Sequence, residues 1–472
     1  MHRNLTLAAC GEQFLRSCTR VRTTRLQDVS VAKDCAKNVG HLGHSRSTVE
    51  PDPTQEGKGE TMYATTNGRR PAAGAVATRS RFLQMSCLAV LGGTGLLAGA
   101  SASAADCEVV ASGLRAPIGS VLTNQGNLLI SETGIANVPA SGRISIVSPD
   151  GTRRTLLDGL PQGTNAAGRD ASGPNGITMR GRTIYVAIGQ GDTVIPGPNG
   201  TTVPNPDVSS QLFSSVLAIH LSAAAEKATS GFSLSEQDQL TLAGGGRVTL
   251  SNGGGDKLSI ELVVNFEDYV AEGVPGNVRN SNPFDMVVVG DNMFVTNGGL
   301  NKLYKVDLRS GAYTDLAIFG PIPNPNPPPP ATNGPPSVEA VPTGLAYSDG
   351  AVLVSLLSGG PFLPGVSRIK AVDPVTGAQA DFITGLRTSI DILPVRAGGD
   401  TDYLALENNF APVPAFPPSG ASIKRFEAPG GTGVAVDGCT MHRPTSMTFD
   451  SRSNTMYATE LLLGTVVKVP LD

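Results

Sequence analysis

The chain has 472 residues, 40% of them hydrophobic and 16% charged, with a net charge of −4. That is enough apolar mass for a large core and too little basic charge for a nucleic-acid surface, so no nucleic-acid partner is expected. Fifty-seven glycines, 35 prolines and no tryptophan point to turn-rich β structure rather than helix bundles.

Residues 1–80 are basic and polar and sustain no apolar period. They read as a disordered extension, or as sequence upstream of the true start, with Met62 and Met85 as alternative starts. Residues 81–105 follow the pattern of a secretory signal: Arg81 in a positive head, an apolar run from Leu83 to Ala100, and "ASASAA" at the end. The run is close to the ~18 residues that span a bilayer. Its four glycines and the Ala-x-Ala end favour cleavage over retention as an anchor, so no stable membrane span is expected afterwards. The expected location is outside the cytoplasm, periplasmic or extracellular. Four of the six cysteines precede residue 106, which leaves Cys107 and Cys439 in the remaining chain.

From residue 106 to 472 one pattern recurs six times. First strands read "APIGSVLT", "GPNGITMR", "NPFDMVVV", "VPTGLAYS", "TSIDILPV" and "RPTSMTFD". Second strands read "NLLISE", "TIYVAI", "NMFVTN", "AVLVSL", "DYLALE" and "TMYATE", and a third strand such as "GRISIV" or "SRIKAV" follows. The entries Pro117, Pro174, Pro283, Pro342, Ser389 and Pro444 are 57, 109, 59, 47 and 55 residues apart. A repeat of this size, with three to four strands per unit, is the signature of propeller blades. The fold class is therefore all-β, a six-bladed β-propeller behind a disordered extension and a signal peptide. A two-sheet sandwich does not predict six copies of one unit. The 109-residue gap holds an insertion, 221–280, read as a short helix, a hairpin and a further helix, with a hidden seventh blade as the alternative. The last unit has no fourth strand, whereas "CEVVASGL" is a spare strand ahead of the first. Pairing the two closes the ring and brings Cys107 near Cys439, so a disulfide is expected at the seam.

The six blades, the entries "VPTGLAY" and "TSIDIL", the approach "FEDYVAEGVPGNVRNSNPFD", the loop "PIPNPNPPPP" and the passage "ITGLRTSIDI" together resemble the ScyD/ScyE family over residues 107–472. That family is similar to NHL-type and gluconolactonase-type six-bladed propellers. The resemblance implies an exported propeller and implies chemistry only faintly.

Antiparallel pairing places short turns such as "SDG" on one face of the disc and the long loops on the other, where binding is expected. Around the channel mouth on that face the topology collects Asn175, Asp285 and Asp391 from first-strand entries, and Glu132, Asn297, Glu407 and Glu460 from second-strand ends. Thr343 and Thr445 occupy entry positions too. Carboxylates with amides are hard-ligand chemistry suited to Ca²⁺ or another divalent cation. In the lactonase propellers that the family is similar to, such an ion polarises a carbonyl. The same residue types also cap turns and bond to backbone. Zinc ligands, a G-x-S-x-G elbow and nucleotide fingerprints are missing from the sequence. Pro327–Pro330 reads as a stiff loop or a docking segment. Two readings stay open: a monomeric propeller that binds a small molecule, glycan or protein on its long-loop face without a defined activity, and a divalent-metal-dependent hydrolase or lactonase at the channel mouth.

Overall fold

The computed structural model describes residues 107–164, 171–324, 335–397, 399–409, 422–436 and 438–471. The N-terminal extension and the signal segment, with the candidate starts Met62 and Met85, and the Pro327–Pro330 run lie outside the described residues.

Each repeat folds as a twisted antiparallel sheet, and the six sheets form a closed ring. Blade 1 comprises Pro117–Leu122, Leu128–Glu132, Gly142–Val147 and Arg153–Leu160. Blade 2 opens with Pro174–Arg180, Thr183–Ile188 and Ser215–Leu221. The first two strands of blades 3 to 6 are Pro283–Val289 and Asn292–Asn297, Pro342–Ser348 and Ala351–Leu356, Ser389–Ala397 and Asp400–Glu407, and Pro444–Asp450 and Thr455–Glu460. First strands line the axis, and each neighbours the next, with blade 6 returning to blade 1. Apolar faces meet between blades: Leu129, Ile144 and Leu157 of blade 1 share a core with Ile184, Val186 and Leu217 of blade 2. Burying each such side chain contributes about 1.5–3 kcal/mol, which a lone blade with two exposed faces lacks.

The seam forms as the strand count requires. Glu108–Ala111 pairs antiparallel with Thr465–Val469 and supplies the fourth strand of blade 6. Beside it Cys107 and Cys439 form a disulfide, with a Cα–Cα distance of 4.9 Å and a sequence separation of 332.

The insertion contains no seventh blade, and its expected hairpin, Val248–Ser251 with Lys257–Asn265, forms the outer strands of blade 2. It differs from expectation in its helices and in one crossover strand. Before the hairpin the chain makes two short helices, α1 (Ala223–Lys227) and α2 (Glu236–Ala243), capped by Ser222 and by a Ser235–Asp238 capping box. Between these helices Phe232–Ser233 pairs in parallel with Leu157–Asp158 and becomes a fifth strand on blade 1. The helix expected after the hairpin is instead the strand Tyr269–Ala271, paired with Val278–Asn280. "FEDYV" contains three β-formers, Phe266, Tyr269 and Val270, and its pairing partner outweighs a helical reading.

Candidate functional site

Every blade carries a register shift just inside the first-strand entry, between Pro117/Ser120, Pro174/Ile177, Pro283/Met286, Pro342/Leu345, Ser389/Asp391 and Pro444/Ser446. A bulge leaves ladder groups unpaired and turns the local side chain. Side chains at the second-strand ends satisfy those groups. The Gly119, Asp285 and Ser446 amides donate to the hydroxyls of Ser131, Thr296 and Thr459 at 3.0, 3.1 and 3.1 Å. The same three hydroxyls donate onward to the next blade, at Asn175 O, Thr343 O and Ile118 O.

These bonds belong to a full circuit. Ser131 links blade 1 to blade 2 and Thr296 links blade 3 to blade 4. Asn175 Nδ2 donates to Pro283 O at 2.8 Å, Thr343 Oγ1 to Ser389 O at 3.4 Å, Asn408 Nδ2 to Pro444 O at 2.7 Å and Thr445 Oγ1 to Pro117 O at 3.2 Å. Asn175, Thr343 and Thr445 at the entries are thus blade-to-blade links.

The second-strand acids and amide hold their own blade's entry. Glu132 is fully buried; it accepts from the Arg115 amide and Ser145 Oγ, both at 2.5 Å, and pairs with Arg143 at 2.8 Å. Glu407 accepts from the Arg387 amide at 2.7 Å and pairs with Lys424 at 3.1 Å. Glu460 accepts from the His442 amide at 2.6 Å and Thr465 Oγ1 at 2.5 Å. Asn297 accepts from the Asn282 and Leu300 amides at 2.9 and 3.0 Å. In blades 1 and 6 the restraint has a local cause: Ala116 and Arg443, each just before an entry proline, have φ of 50° and 53°. A non-glycine residue there costs free energy unless its surroundings hold it.

Asp285 and Asp391 are placed differently. They sit at the bulges of blades 3 and 5 and line a cavity of about 390 Å³ in the channel. Asp285 Oδ2 accepts from the Leu345 amide of blade 4 at 3.2 Å, and Asp391 Oδ2 from the Met447 amide of blade 6 at 2.8 Å. Burial pushes the Asp285 carboxyl up to about 7, against the lowering effect of its backbone donors. Burial, and then the Asp285 charge, push Asp391 well above the usual carboxylate range. Glycines make the room: a Cβ on Gly176 would stand 2.3 Å from Asp285 Oδ1, and one on Gly344 would stand 2.5 Å from Asp391 Oδ1.

The cavity occupies the half of the channel toward the short turns, since its lining runs to Leu122, Tyr347 and Phe449 near the first-strand ends. Phe284, just before Asp285, packs against the cluster containing Ile390 and Met447, on the far side of the channel. Glu132, Asn175, Asn297, Glu407 and Glu460 do not line the cavity. The seven sequence candidates therefore divide into one facing pair and five residues that brace blades. Among the described residues no group of three or more His, Cys, Asp or Glu is arranged to hold a metal ion. Two carboxylates that each accept a main-chain amide fall short of the six to eight oxygens of a Ca²⁺ shell. Both histidines of this region serve blades too: His220 bridges Thr183 and Glu261 across blade 2 at 3.1 and 2.8 Å, and the His442 amide holds Glu460 in blade 6.

Sequence reasoning passed over Ser131, Thr296 and Thr459. Their signal is the hydroxyl before the acid or amide in "ISE", "VTN" and "ATE".

No protein-family model matches the chain, and no curated protein matches it. A crystal structure from Thermus thermophilus, assigned as an oxidoreductase (glucose dehydrogenase), aligns over 77% of this chain and 98% of its own, at 13% identity and a TM-score of 0.40. The computationally designed protein Ika8 aligns over 78% of this chain and 100% of its own, at 11% identity and a TM-score of 0.35.

Proposed function

We propose that this chain is an exported binding propeller of the ScyD/ScyE type, taking a small-molecule, glycan or protein ligand on its long-loop face. The observation that supports binding over metal-dependent hydrolysis is the engagement of Glu132, Glu407 and Glu460 by the amides of their own loop entries. Carboxylates held this way stiffen the rim and offer few oxygens to an ion. Long loops elsewhere on this face also brace one another. The long loop of blade 2 carries its own hairpin, Val194–Pro196 with Thr202–Pro204, and the Thr202 amide donates to Asn277 Oδ1 at 2.8 Å. A preformed surface loses less conformational entropy when a ligand arrives. The Cys107–Cys439 bond supports export, since disulfides persist in oxidising compartments.

The test pairs a glycan array and a small-molecule thermal-shift screen with lactone and ester hydrolysis in Ca²⁺, Mg²⁺ and Mn²⁺. The expected result is a ligand that loses affinity when the 194–204 hairpin is replaced by a short Gly-Ser loop, and no turnover with any ion. Metal-dependent turnover abolished by Glu132→Ala or Glu460→Ala, with the fold retained, would overturn the proposal in favour of a hydrolase.

A further inference from the structure

We propose that the channel cavity on the short-turn side is a second binding site, for a small organic ammonium ion whose amine sits between Asp285 and Asp391 and whose apolar group fills the rest.

At about 390 Å³ the cavity lies within the range of small-molecule sites. Its walls are mostly apolar, with Ile118, Phe284, Met447 and Phe449 among them. Only two of its lining residues are charged, and both are acidic; among the described residues the lining contains no Lys, Arg or His. Three other buried acids differ. Glu132 has Arg143, Glu226 has Arg182 and Glu407 has Lys424 within 3.1 Å. Burying a carboxylate without a counter-charge is costly, and two facing each other add repulsion. The main-chain amides of Leu345, Met447 and Ile392 bond to Asp285 Oδ2 and to the two oxygens of Asp391 but supply no net charge. A cation between the two offsets both terms.

The walls decide which cation. A hard metal ion needs more oxygens than two carboxylates already bonded to amides supply, and gains nothing from apolar surface. An ammonium on a compact apolar group uses both features: its N–H groups donate to the carboxylates, and its carbon atoms bury against Phe284 and Phe449. Aromatic rings beside the amine add to the attraction. Phe284 crosses the channel on the entry side of the aspartates, so this site is separate from the long-loop face and does not depend on the function proposed there.

Benzylammonium is the probe, benzyl alcohol its uncharged counterpart, and CaCl₂ the metal control, each titrated calorimetrically into the full chain at pH 8. Benzylammonium is expected to bind at least tenfold more tightly than benzyl alcohol. Asp285→Asn and Asp391→Asn should each weaken it tenfold or more while circular dichroism stays native and melting is not lowered. Asparagine keeps an oxygen for the Leu345 or Met447 amide, so either variant can report if the other fails to fold. Equal binding of benzyl alcohol, undiminished binding by a folded variant, or calcium binding that depends on the two aspartates with no benzylammonium binding would each overturn the proposal.

Discussion

Glu132 and Asp285 are both acidic, one ending a second strand and the other within a first strand, yet the free energy of each runs in an opposite direction. Glu132 is held by an arginine and two further donors. Removing it leaves Arg143, only 7% exposed, without its counter-charge. Glu132→Ala should therefore cost about 3–5 kcal/mol, as breaking a buried ion pair does, in guanidinium unfolding, and Glu132→Gln should cost less. Asp285 has a folded-state value near 7, raised from 3.8. The folded protein thus holds a proton that the unfolded chain releases between about pH 4 and 7. The stability this supplies is fully present below about pH 4 and is lost as pH rises through 7. Asp391, raised as well, acts in the same direction; Tyr347 is the one other titratable residue lining the cavity. Asp285→Asn should accordingly stabilise the protein more at pH 8 than at pH 5, by at least about 1 kcal/mol, in unfolding curves at the two values. A larger gain at pH 5 would contradict the assignment. The sequence offers little to separate the two acids in advance. Both stand at blade-repeat positions, and only the third strand, which brings Arg143 to Glu132, and the neighbouring blade's glycine, which opens space at Asp285, tell them apart.

At the level of elements, the repeat itself was readable because one strand–turn–strand–strand pattern recurs six times and each turn carries its own residues. The bulges were not, since a bulge is a relation between two strands and leaves only a faint trace in either one. The crossover from blade 2 to blade 1 was hidden for a similar reason: Phe232–Ser233 is too short to show a period, and it pairs in parallel with a strand 75 residues earlier. The outer strand of blade 1 does carry a mark of it. Gly159 has φ +81°, and a Cβ there would stand 2.1 Å from Leu234 O. Positive φ and contact with backbone both demand glycine. Gly159→Ala should destabilise the protein by more than about 1 kcal/mol and raise hydrogen exchange at the Leu234 amide, which donates to Asp158 O at 2.9 Å. Gly181, also at positive φ but with open space around it, is the matched control: Gly181→Ala meets the backbone penalty alone, so the smaller loss there isolates the crossover's share.

For the molecule as a whole, the seam decides whether the ring stays shut. The first four strands of each of five blades come in chain order without crossing the ring's closure, whereas the sixth borrows Glu108–Ala111 from the far end of the chain. That strand is weakly held by itself. It pairs over Glu108↔Lys468, Val109↔Val467 and Ala111↔Val466, and its one ion pair, Lys468–Glu108, is exposed. Exposed pairs contribute little. The Cys107–Cys439 bond supplies the missing restraint, because both cysteines are buried in the core between blades 5 and 6. A crosslink over 332 residues removes much of the unfolded chain's freedom, and losing one typically costs about 2–5 kcal/mol. Cys439→Ala should lower Tm by several degrees. Hydrogen exchange should then rise first at Thr465–Val469, the strand left facing solvent, while the second strands of blades 1 to 4 keep their protection. If exchange instead rises evenly round the ring, the six blades unfold as one unit, and the circuit of links from Ser131 to Thr445, rather than the disulfide, sets the stability of the seam.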